Sequence, residues 1–374
     1  MSSTVTDKDR AHLARALELA EGGRGRVSPN PLVGAVLVRE GAVVGEGFHA
    51  ELGGVHAEVA AIDDCRRRGA EASGSTLFVT LEPCAHQGRQ PPCSEAIVEA
   101  GIARVVIGCD DPSEKASGRG PGILRDEGVE VSFAEGAEAA AARLLIQPFR
   151  KHARTGRPLV LHKSALSLDG WTATATGDSK WISGPESRKL VHRWRAEADA
   201  IAIGIETALA DDPLLTARDV GAHRQPLRVV FDSRARLSPA SKLIATLAEA
   251  PLLVFCGPAA PEERVEALRG AGADIVRVPG ARSEALVAAL EELGRRGLTS
   301  VLLEGGATIA GAFLEAGEID EMRLFVAPIV VGAEGRPLYA GIETGPLEEA
   351  TRPLSVDWQR VGEDLLARAR IREW

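Results

Sequence analysis

The sequence has few aromatic residues and no surplus of positive charge, and both shortages limit what it can bind. Aromatic residues make up 4% of the 374 residues, and the formal net charge is −9 at pH 7. Proteins that read single-stranded nucleic acid use aromatic stacking platforms beside basic grooves. The composition therefore argues against a nucleic-acid partner.

Long apolar runs are also missing. No stretch is long enough to cross a bilayer, and residues 1–10 are polar and charged, unlike a signal peptide. There are five cysteines, an odd number, and those not used for a metal are predicted to be reduced core thiols. We therefore expect a soluble cytoplasmic protein with no membrane partner. Hydrophobic content of 45% and charged content of 26% are ordinary for globular proteins, and the length suggests about two or three domains.

One imidazole, two thiols and a carboxylate form the most informative set in the first half. These are His56, Cys84 and Cys93, with Glu58 two residues after the histidine. Three N/S ligands leave one tetrahedral zinc position open for water, and a carboxylate that is not a ligand can move protons there. His-x-Glu with Pro-Cys is the signature of zinc-dependent base deaminases. That signature usually closes with Cys-x-x-Cys, whereas here residues 85–92 separate the two cysteines. The alternative is that these side chains are buried without a metal.

Local patterns place all three ligands at the ends of secondary-structure elements. Thr76 to Leu81 is predicted to be a buried strand, so Cys84 falls just beyond it. Cys93 follows two prolines at the start of a helical pattern, where free N–H groups favour a thiolate. His56 is predicted to open a helix over residues 57–68.

The order of strands and helices predicts two α/β domains. A first helix capped by Asp7 or Asp9, a hairpin over residues 32–48 and one alanine-rich helix over residues 136–151 belong to a three-layer domain. The pattern breaks near Thr155-Gly156-Arg157-Pro158, so we predict domains at 1–153 and 154–374. The second domain repeats βα pairs and closes with three strands, which predicts a mixed sheet.

Several polar residues have two interpretations. Asn30 lies between prolines at a strand entrance, where it is either a turn residue or an amide that pairs with a base or ribose. His49 ends the second strand of the hairpin. It is either a turn histidine with its ring nitrogens hydrogen-bonded within the protein or a contact to the substrate. Helical spacing aligns Arg188, His192 and Arg195 on one face, which is either solvated or directed at a phosphate.

Glu304-Gly305-Gly306 follows a hydrophobic strand and precedes a helix, an arrangement that lets backbone N–H groups approach a phosphate. The stretch lacks the Gly-x-Gly-x-x-Gly pattern of a Rossmann turn. It therefore indicates a phosphate site only together with other motifs.

The sequence resembles one family, the bifunctional riboflavin-biosynthesis enzymes, because it contains two sets of motifs in the order typical of that family. These enzymes fuse a diaminohydroxyphosphoribosylaminopyrimidine deaminase to a 5-amino-6-(5-phosphoribosylamino)uracil reductase. The resemblance covers nearly the whole chain and includes the long Cys-to-Cys loop. The deaminase motifs are Pro29-Asn30-Pro31, His56-Ala57-Glu58-Val59 and Thr80-Leu81-Glu82-Pro83-Cys84 running through Gly88-Arg89 to Pro91-Pro92-Cys93. The reductase motifs are Lys163, Ser167-Leu168-Asp169-Gly170, residues 177–182, Asp211-Asp212-Pro213 and Glu304-Gly305-Gly306.

The resemblance implies a cytidine-deaminase-like α/β/α domain followed by a dihydrofolate-reductase-like domain, with zinc and NADPH as cofactors. It implies that His56, Cys84 and Cys93 bind zinc and that Glu58 carries protons. The implied NADPH contacts are Ala165, Trp181, Thr207, Asp211, Ser233 and Gly306. The implied substrate contacts in the reductase are Ser179, Arg195, Leu215, Arg218 and Glu304.

Charge adds two expectations. Arg89, in the loop between the cysteines, is either a ligand of the ribose phosphate or a solvent-facing arginine. Ser233, followed by Arg234 and Arg236, suggests a place for the cofactor's 2′-phosphate. Departures from the family occur at Ala85 and Gln90, where Ser and Thr are usual, and at Ser113-Glu114, which replaces Asn-Pro.

The expected function is hydrolytic deamination of 2,5-diamino-6-(5-phosphoribosylamino)pyrimidin-4(3H)-one, followed by NADPH-dependent reduction of the ribosyl chain to ribityl. The expected partner is a small phosphorylated pyrimidine, and a homo-oligomer is expected. The alternative is a zinc-dependent nucleoside or nucleic-acid deaminase whose C-terminal half is a non-catalytic nucleotide-binding or assembly module.

Overall fold

The computed structural model divides the chain into two compact units, Met1–Gly156 together with Trp374, and Arg157–Glu373. It describes residues 5–85, 91–113, 117–280, 282–342 and 345–374. Among these residues, no helix combines the length and the apolar character needed to cross a membrane. Each unit is built around its own β-sheet.

The first unit contains a five-stranded sheet in the order β2-β1-β3-β4-β5. The β1–β2 and β1–β3 pairs are antiparallel, and β3, β4 and β5 are parallel. The strands are β1 Gly34–Arg39, β2 Ala42–Phe48, β3 Thr76–Leu81, β4 Arg104–Cys109 and β5 Glu130–Phe133. The helices are α1 Asp7–Ala20, α2 Ala57–Arg67, α3 Cys93–Glu99, α4 Arg119–Asp126, α5 Gly136–Leu145 and α6 Gln147–Thr155.

Strand alternation divides the first unit into three layers, because successive side chains point to opposite faces of a sheet. Leu37 and Leu77 pack with α2, α3 and α4 on one face. Val36 and Phe78 pack with α1 and α5 on the other. The sheet is therefore buried on both faces, as predicted.

The second unit contains a nine-stranded mixed sheet in the order β10-β9-β8-β7-β11-β6-β12-β14-β13. Strands from β10 to β12 in that order are parallel, and β14 and β13 add antiparallel pairs at the end. The strands are β6 Leu159–Leu166, β7 Ala200–Gly204, β8 Leu227–Phe231, β9 Leu252–Cys256, β10 Asp274–Arg277, β11 Ser300–Leu303, β12 Glu321–Val326, β13 Ser355–Val361 and β14 Asp364–Arg370. The helices are α7 Pro185–Glu197, α8 Ile205–Asp211, α9 Lys242–Ala245, α10 Glu262–Gly270, α11 Ser283–Arg295 and α12 Ala307–Glu315.

Helices cover both faces of this second sheet. Ile201, Ile203 and Val230 pack against α7, α8 and α10. Ala202 and Val229, one residue away along the strands, pack against α11 and α12. This arrangement confirms the predicted α/β class with a mixed sheet.

Three local predictions were wrong. The cap of α1 is Thr6, which forms a reciprocal capping box with Asp9, so neither Asp7 nor Asp9 is the cap residue. The predicted single helix over residues 136–151 is two helices that meet at Ile146, with a proline in the first turn of α6. The strand predicted over residues 159–161 continues to Leu166, which places Lys163 and Ala165 within β6.

Candidate functional sites

Three elements of the first unit bring His56, Cys84 and Cys93 together. His56 is the N-cap residue of α2, Cys84 follows the end of β3, and Cys93 is the first residue of α3. The Nδ1 atom of His56 lies 3.2 Å from Sγ of Cys93 and 3.6 Å from Sγ of Cys84. All three ligand atoms lie within 4.8 Å of one another. The elements predicted from local patterns therefore converge on one point.

This donor set fits zinc. Tetrahedral ligands at zinc bond lengths stand roughly 3.5–3.8 Å apart, close to the distances between these ligand atoms. Hydrogen bonds from the Cys93 thiol, the His56 ring and the Cys93 amide lower the pKa of Cys84 despite its burial. The Cys93 amide lies 3.4 Å from the Cys84 sulfur, so the first N–H of α3 stabilises Cys84 rather than the thiol of its own residue.

Glu58 lies in the first turn of α2, next to the candidate ligands. The residue is 4% exposed, and burial together with the Cys84 charge raises its pKa to about 7. A carboxyl group of this pKa exchanges a proton near neutral pH, as a general acid–base group must. Its position beside the thiols suits the role that its sequence spacing predicted.

Asn30 and His49 form a pair beside the candidate ligand His56. Nδ2 of Asn30 lies 3.0 Å from Nε2 of His49, and Nδ1 of His49 lies 2.9 Å from the Val55 carbonyl oxygen. The carbonyl requires the proton on Nδ1, so Nε2 accepts from the Asn30 amide. Burial lowers the pKa of His49, and its ring meets that of His56 edge-on with centroids 5.5 Å apart. The hairpin thus brings these two polar residues to the candidate metal site, while Arg89, Gln90 and Glu114 lie outside the described residues.

A cleft of about 1870 Å³ lies in the second unit. It borders the carboxyl ends of β7, β8, β9 and β11, where open α/β sheets place their ligands. A drug-sized ligand occupies a pocket of about 300–1,000 Å³, so this cleft has room for two ligands. All eleven residues that the resemblance implies as cofactor or substrate contacts of the reductase line it: Ala165, Ser179, Trp181, Arg195, Thr207, Asp211, Leu215, Arg218, Ser233, Glu304 and Gly306.

A largely buried ion pair lines the cleft. Arg195 donates to Glu304 through Nε at 2.6 Å and through Nη2 at 2.9 Å. Lys163, on the strand β6 beside β11, lies 3.9 Å from the same carboxylate. Burial raises the pKa of Glu304, but the charges of Arg195 and Lys163 and the Arg195 hydrogen bonds outweigh it and lower the pKa to about 2. Glu304 is therefore a fixed anion, and Lys163 is a cleft cation to which the sequence assigned no role, although alternation along β6 places it beside Ala165.

The rim of the cleft carries exposed and cationic groups. Trp181 is 70% exposed, and the Arg188 guanidinium lies 4.7 Å from its ring centroid. Lys180 pairs with Asp211 at 3.0 Å. The cationic face of α7 therefore borders the cleft, since Arg188, His192 and Arg195 all line it.

The other cofactor candidates lie at the ends of neighbouring strands. The Gly306 amide donates to Thr207 Oγ1 at 3.0 Å, which joins α12 to α8. The Ser233 carbonyl accepts from the Gly257 amide at 3.1 Å and links the turns after β8 and β9. Arg236 pairs with Glu206 at 2.5 Å, whereas Arg234 forms no ion pair within the part of the chain that the structure describes. Of these two arginines, Arg234 has the guanidinium free for an anion.

The two halves match two different families of domains. The model of the cytidine and deoxycytidylate deaminase zinc-binding region matches residues 6–109. The model of the RibD C-terminal domain matches residues 158–367. Each match lies within one of the two structural units.

Full-length relatives share both halves. The riboflavin biosynthesis protein RibD of Actinobacillus pleuropneumoniae is 38% identical over 366 residues, covering 97% of this chain and 95% of the relative. The structure of Acinetobacter baumannii RibD (form 1) matches with a TM-score of 0.84 and 36% identity, covering 98% of this chain and 99% of that one. A Thermotoga maritima diaminohydroxyphosphoribosylaminopyrimidine deaminase/5-amino-6-(5-phosphoribosylamino)uracil reductase matches with a TM-score of 0.84 and 34% identity, covering 98% and 99%. These similarities confirm the predicted combination of a cytidine-deaminase-like and a dihydrofolate-reductase-like domain.

Proposed function

Because this chain belongs to the RibD family of bifunctional riboflavin-biosynthesis deaminase–reductases, we propose that residues 1–153 catalyse the deamination and residues 154–374 the reduction. The substrate of the first step is the diaminopyrimidinone ribotide, and that of the second is 5-amino-6-(5-phosphoribosylamino)uracil, as named for the Thermotoga maritima relative. The product of the second step carries a ribityl chain. The observation that carries this proposal is the meeting of His56, Cys84 and Cys93 at one point, with Glu58 buried in the first turn of the helix that His56 caps.

In the deaminase, His56, Cys84 and Cys93 hold zinc, which supplies a water of lowered pKa when bound. Glu58 takes a proton from the attacking water and delivers one to the departing amino group. Oxygen from water thus replaces the amino group on the ring, and ammonia is released. Asn30, held by His49, orients the ring or ribose edge, and Arg89 binds the ribose phosphate.

In the reductase, NADPH supplies the hydride that converts the ribosyl carbon to its ribityl form. Ala165, Trp181, Thr207, Asp211, Ser233 and Gly306 form the cofactor side of the cleft. Glu304 accepts hydrogen bonds from the sugar hydroxyls, and Ser179 and Leu215 border the substrate. Among the described residues, the Arg218 side chain donates only through Nη1, to Thr216 Oγ1 at 2.8 Å, so its remaining N–H groups are available for the substrate phosphate. Arg195 keeps fewer free N–H groups because Glu304 and the Thr216 carbonyl occupy three of its nitrogens.

Incubation of the full chain with the diaminopyrimidinone ribotide tests the proposed function. Ammonia release without NADPH, followed by NADPH oxidation once the cofactor is added, is the expected result. Deamination with no NADPH oxidation, even when the deaminated ribotide is supplied, would favour the alternative of a non-catalytic C-terminal module. Absence of ammonia release would contradict the deaminase assignment.

Arg234 is expected to select NADPH over NADH. In Arg234→Ala, the KM for NADPH should rise roughly tenfold or more because a charge-assisted contact to the 2′-phosphate is lost. The KM for NADH should not change. Arg236→Ala is the matched control because Glu206 already occupies that guanidinium. An unchanged preference for NADPH in Arg234→Ala would contradict the assignment.

The homo-oligomer is proposed to form along β13, one of the two edge strands of the nine-stranded sheet. Trp358 is 61% exposed and Val356 is 42% exposed on one face of this strand. Exposed apolar edge strands are suited to pairing with another chain. Trp358→Lys is expected to reduce the molar mass measured by light scattering, whereas Leu347→Lys, at an exposed leucine outside β13, should not. An unchanged mass in Trp358→Lys would contradict assembly through this strand.

We further propose a cytoplasmic location and no nucleic-acid partner. None of the five cysteines forms a disulfide, which is typical of proteins in a reducing compartment. The net charge of −9 opposes binding to a polyanion.

A further inference from the structure

The segment of residues 212–218, which we name the substrate loop, borders the reductase cleft without regular secondary structure. It carries Leu215 and Arg218, the two proposed substrate contacts that follow α8. The backbone angle φ is +52° at Leu215 and +40° at Asp212. Residues other than glycine rarely adopt positive φ values of this kind. Such a conformation persists only where the surroundings hold it.

Gln225 holds this loop near its C-terminal end. Its Oε1 accepts from the Ala217 amide at 2.8 Å, and its Nε2 donates to the Ala217 carbonyl at 2.9 Å. One side-chain amide thus satisfies both backbone groups of a single residue, much as a neighbouring strand does. Gln225 does not line the cleft, so it acts on a ligand only through the loop.

Other side chains hold the residues around Ala217. Arg228, fully buried in β8, donates to the Leu214 carbonyl at 3.2 Å. Arg195 donates to the Thr216 carbonyl at 3.2 Å, and the Arg218 amide donates to Nδ1 of His192 at 3.2 Å. Most of these side chains are buried or line the cleft, whereas Gln225 is half-buried and outside it. Gln225 is therefore the support that can be changed with the least damage to the core or to direct ligand contacts.

We propose that Gln225 is a positioning residue that sets the substrate loop for the phosphorylated end of the reductase substrate. The inference rests on the proposed reductase function. Ala217 directly precedes Arg218, so fixing both of its backbone groups fixes where the Arg218 side chain begins. A loop that is already ordered before the substrate binds loses less conformational entropy on binding. Removing the Gln225 hydrogen bonds should therefore weaken substrate affinity more than it slows the chemical step.

The test uses the full chain with Gln225→Ala and Gln225→Glu. In Gln225→Ala, the KM for the deaminated ribotide should rise roughly tenfold with kcat nearly unchanged. Gln225→Glu keeps the acceptor for the Ala217 amide but loses the donor, so it should have an effect of the same direction. The preference for the ribotide over its dephosphorylated form should fall in both variants, because the loop no longer sets Arg218.

His223→Ala, at an exposed position two residues away and outside the cleft, is the matched control and should leave every constant unchanged. Ammonia release and the KM for NADPH should also stay unchanged in the Gln225 variants. A wild-type KM and phosphate preference in both Gln225 variants would overturn the role of Gln225 alone. A parallel rise in the KM for NADPH, or loss of the cooperative unfolding of the reductase, would mean that Gln225 is merely structural and would overturn it too. A wild-type chain that never oxidises NADPH would overturn the proposed reductase function itself.

Discussion

Glu58→Gln is expected to reduce ammonia release by about a hundredfold to ten-thousandfold while zinc stays bound at one ion per chain. Glutamine keeps the size of the side chain in its buried position at the start of α2, and the three ligand residues are unchanged. It cannot take a proton from water or deliver one to the leaving amino group. Elemental analysis and an ammonia assay on the same preparation measure the two quantities.

Two controls make this result specific. Glu95→Gln changes an exposed carboxylate in the first turn of α3, two residues after Cys93, and should leave deamination unchanged. NADPH oxidation with the deaminated ribotide should be unaffected in Glu58→Gln, because that reaction belongs to the other structural unit. Undiminished deamination by Glu58→Gln would refute the proton-carrying role, and loss of zinc would show that the carboxylate is needed to hold the metal site together.

The positions of the candidate zinc ligands were predictable because each lies at the end of a short element whose pattern is local. The largely apolar run from Thr76 to Leu81 and the prolines before Cys93 indicate β3 and α3 without tertiary information. That the three ends meet within 4.8 Å could be expected only from the combined chemistry of His56, Cys84, Cys93 and Glu58. The family resemblance then supplied the reductase residues, which periodicity alone does not mark.

Features that depend on distant contacts were not predictable. The break between α5 and α6 was missed because the alanine-rich run through Ile146 has helical propensity on both sides of Pro148. The role of Gln225 was missed because it depends on two hydrogen bonds to Ala217, a residue eight positions earlier. Such a contact between loop residues produces no periodic pattern in the sequence. Lys163 stood in a motif, but its role depends on β6 lying beside β11, which brings it to Glu304.

The Arg195–Glu304 pair should be the most costly contact to break in the second unit. Glu304→Ala removes the carboxylate but leaves the Arg195 and Lys163 charges buried, so the reductase unit is expected to lose about 3–5 kcal/mol of unfolding free energy. Glu304→Gln preserves the shape and should lose less stability, but it should still lower NADPH oxidation by about a hundredfold or more because the charged acceptor for the sugar hydroxyls is gone. Glu206→Ala, which removes an exposed ion pair with Arg236, is the stability control and should change little.

The pH dependence of stability provides an independent test of the same pair. The pKa of Glu304 in the folded unit is lowered to about 2, below the value of about 4.3 for an unfolded chain. A group with a lowered folded pKa contributes its full stabilisation above the unfolded pKa and loses it as the pH falls through the folded pKa. Denaturant unfolding of the wild type and Glu304→Gln should therefore differ by a constant amount above about pH 5 and converge toward pH 2. A difference that stays constant across this acid range would show that Glu304 does not carry a buried charge and would remove the basis for its role in the reductase.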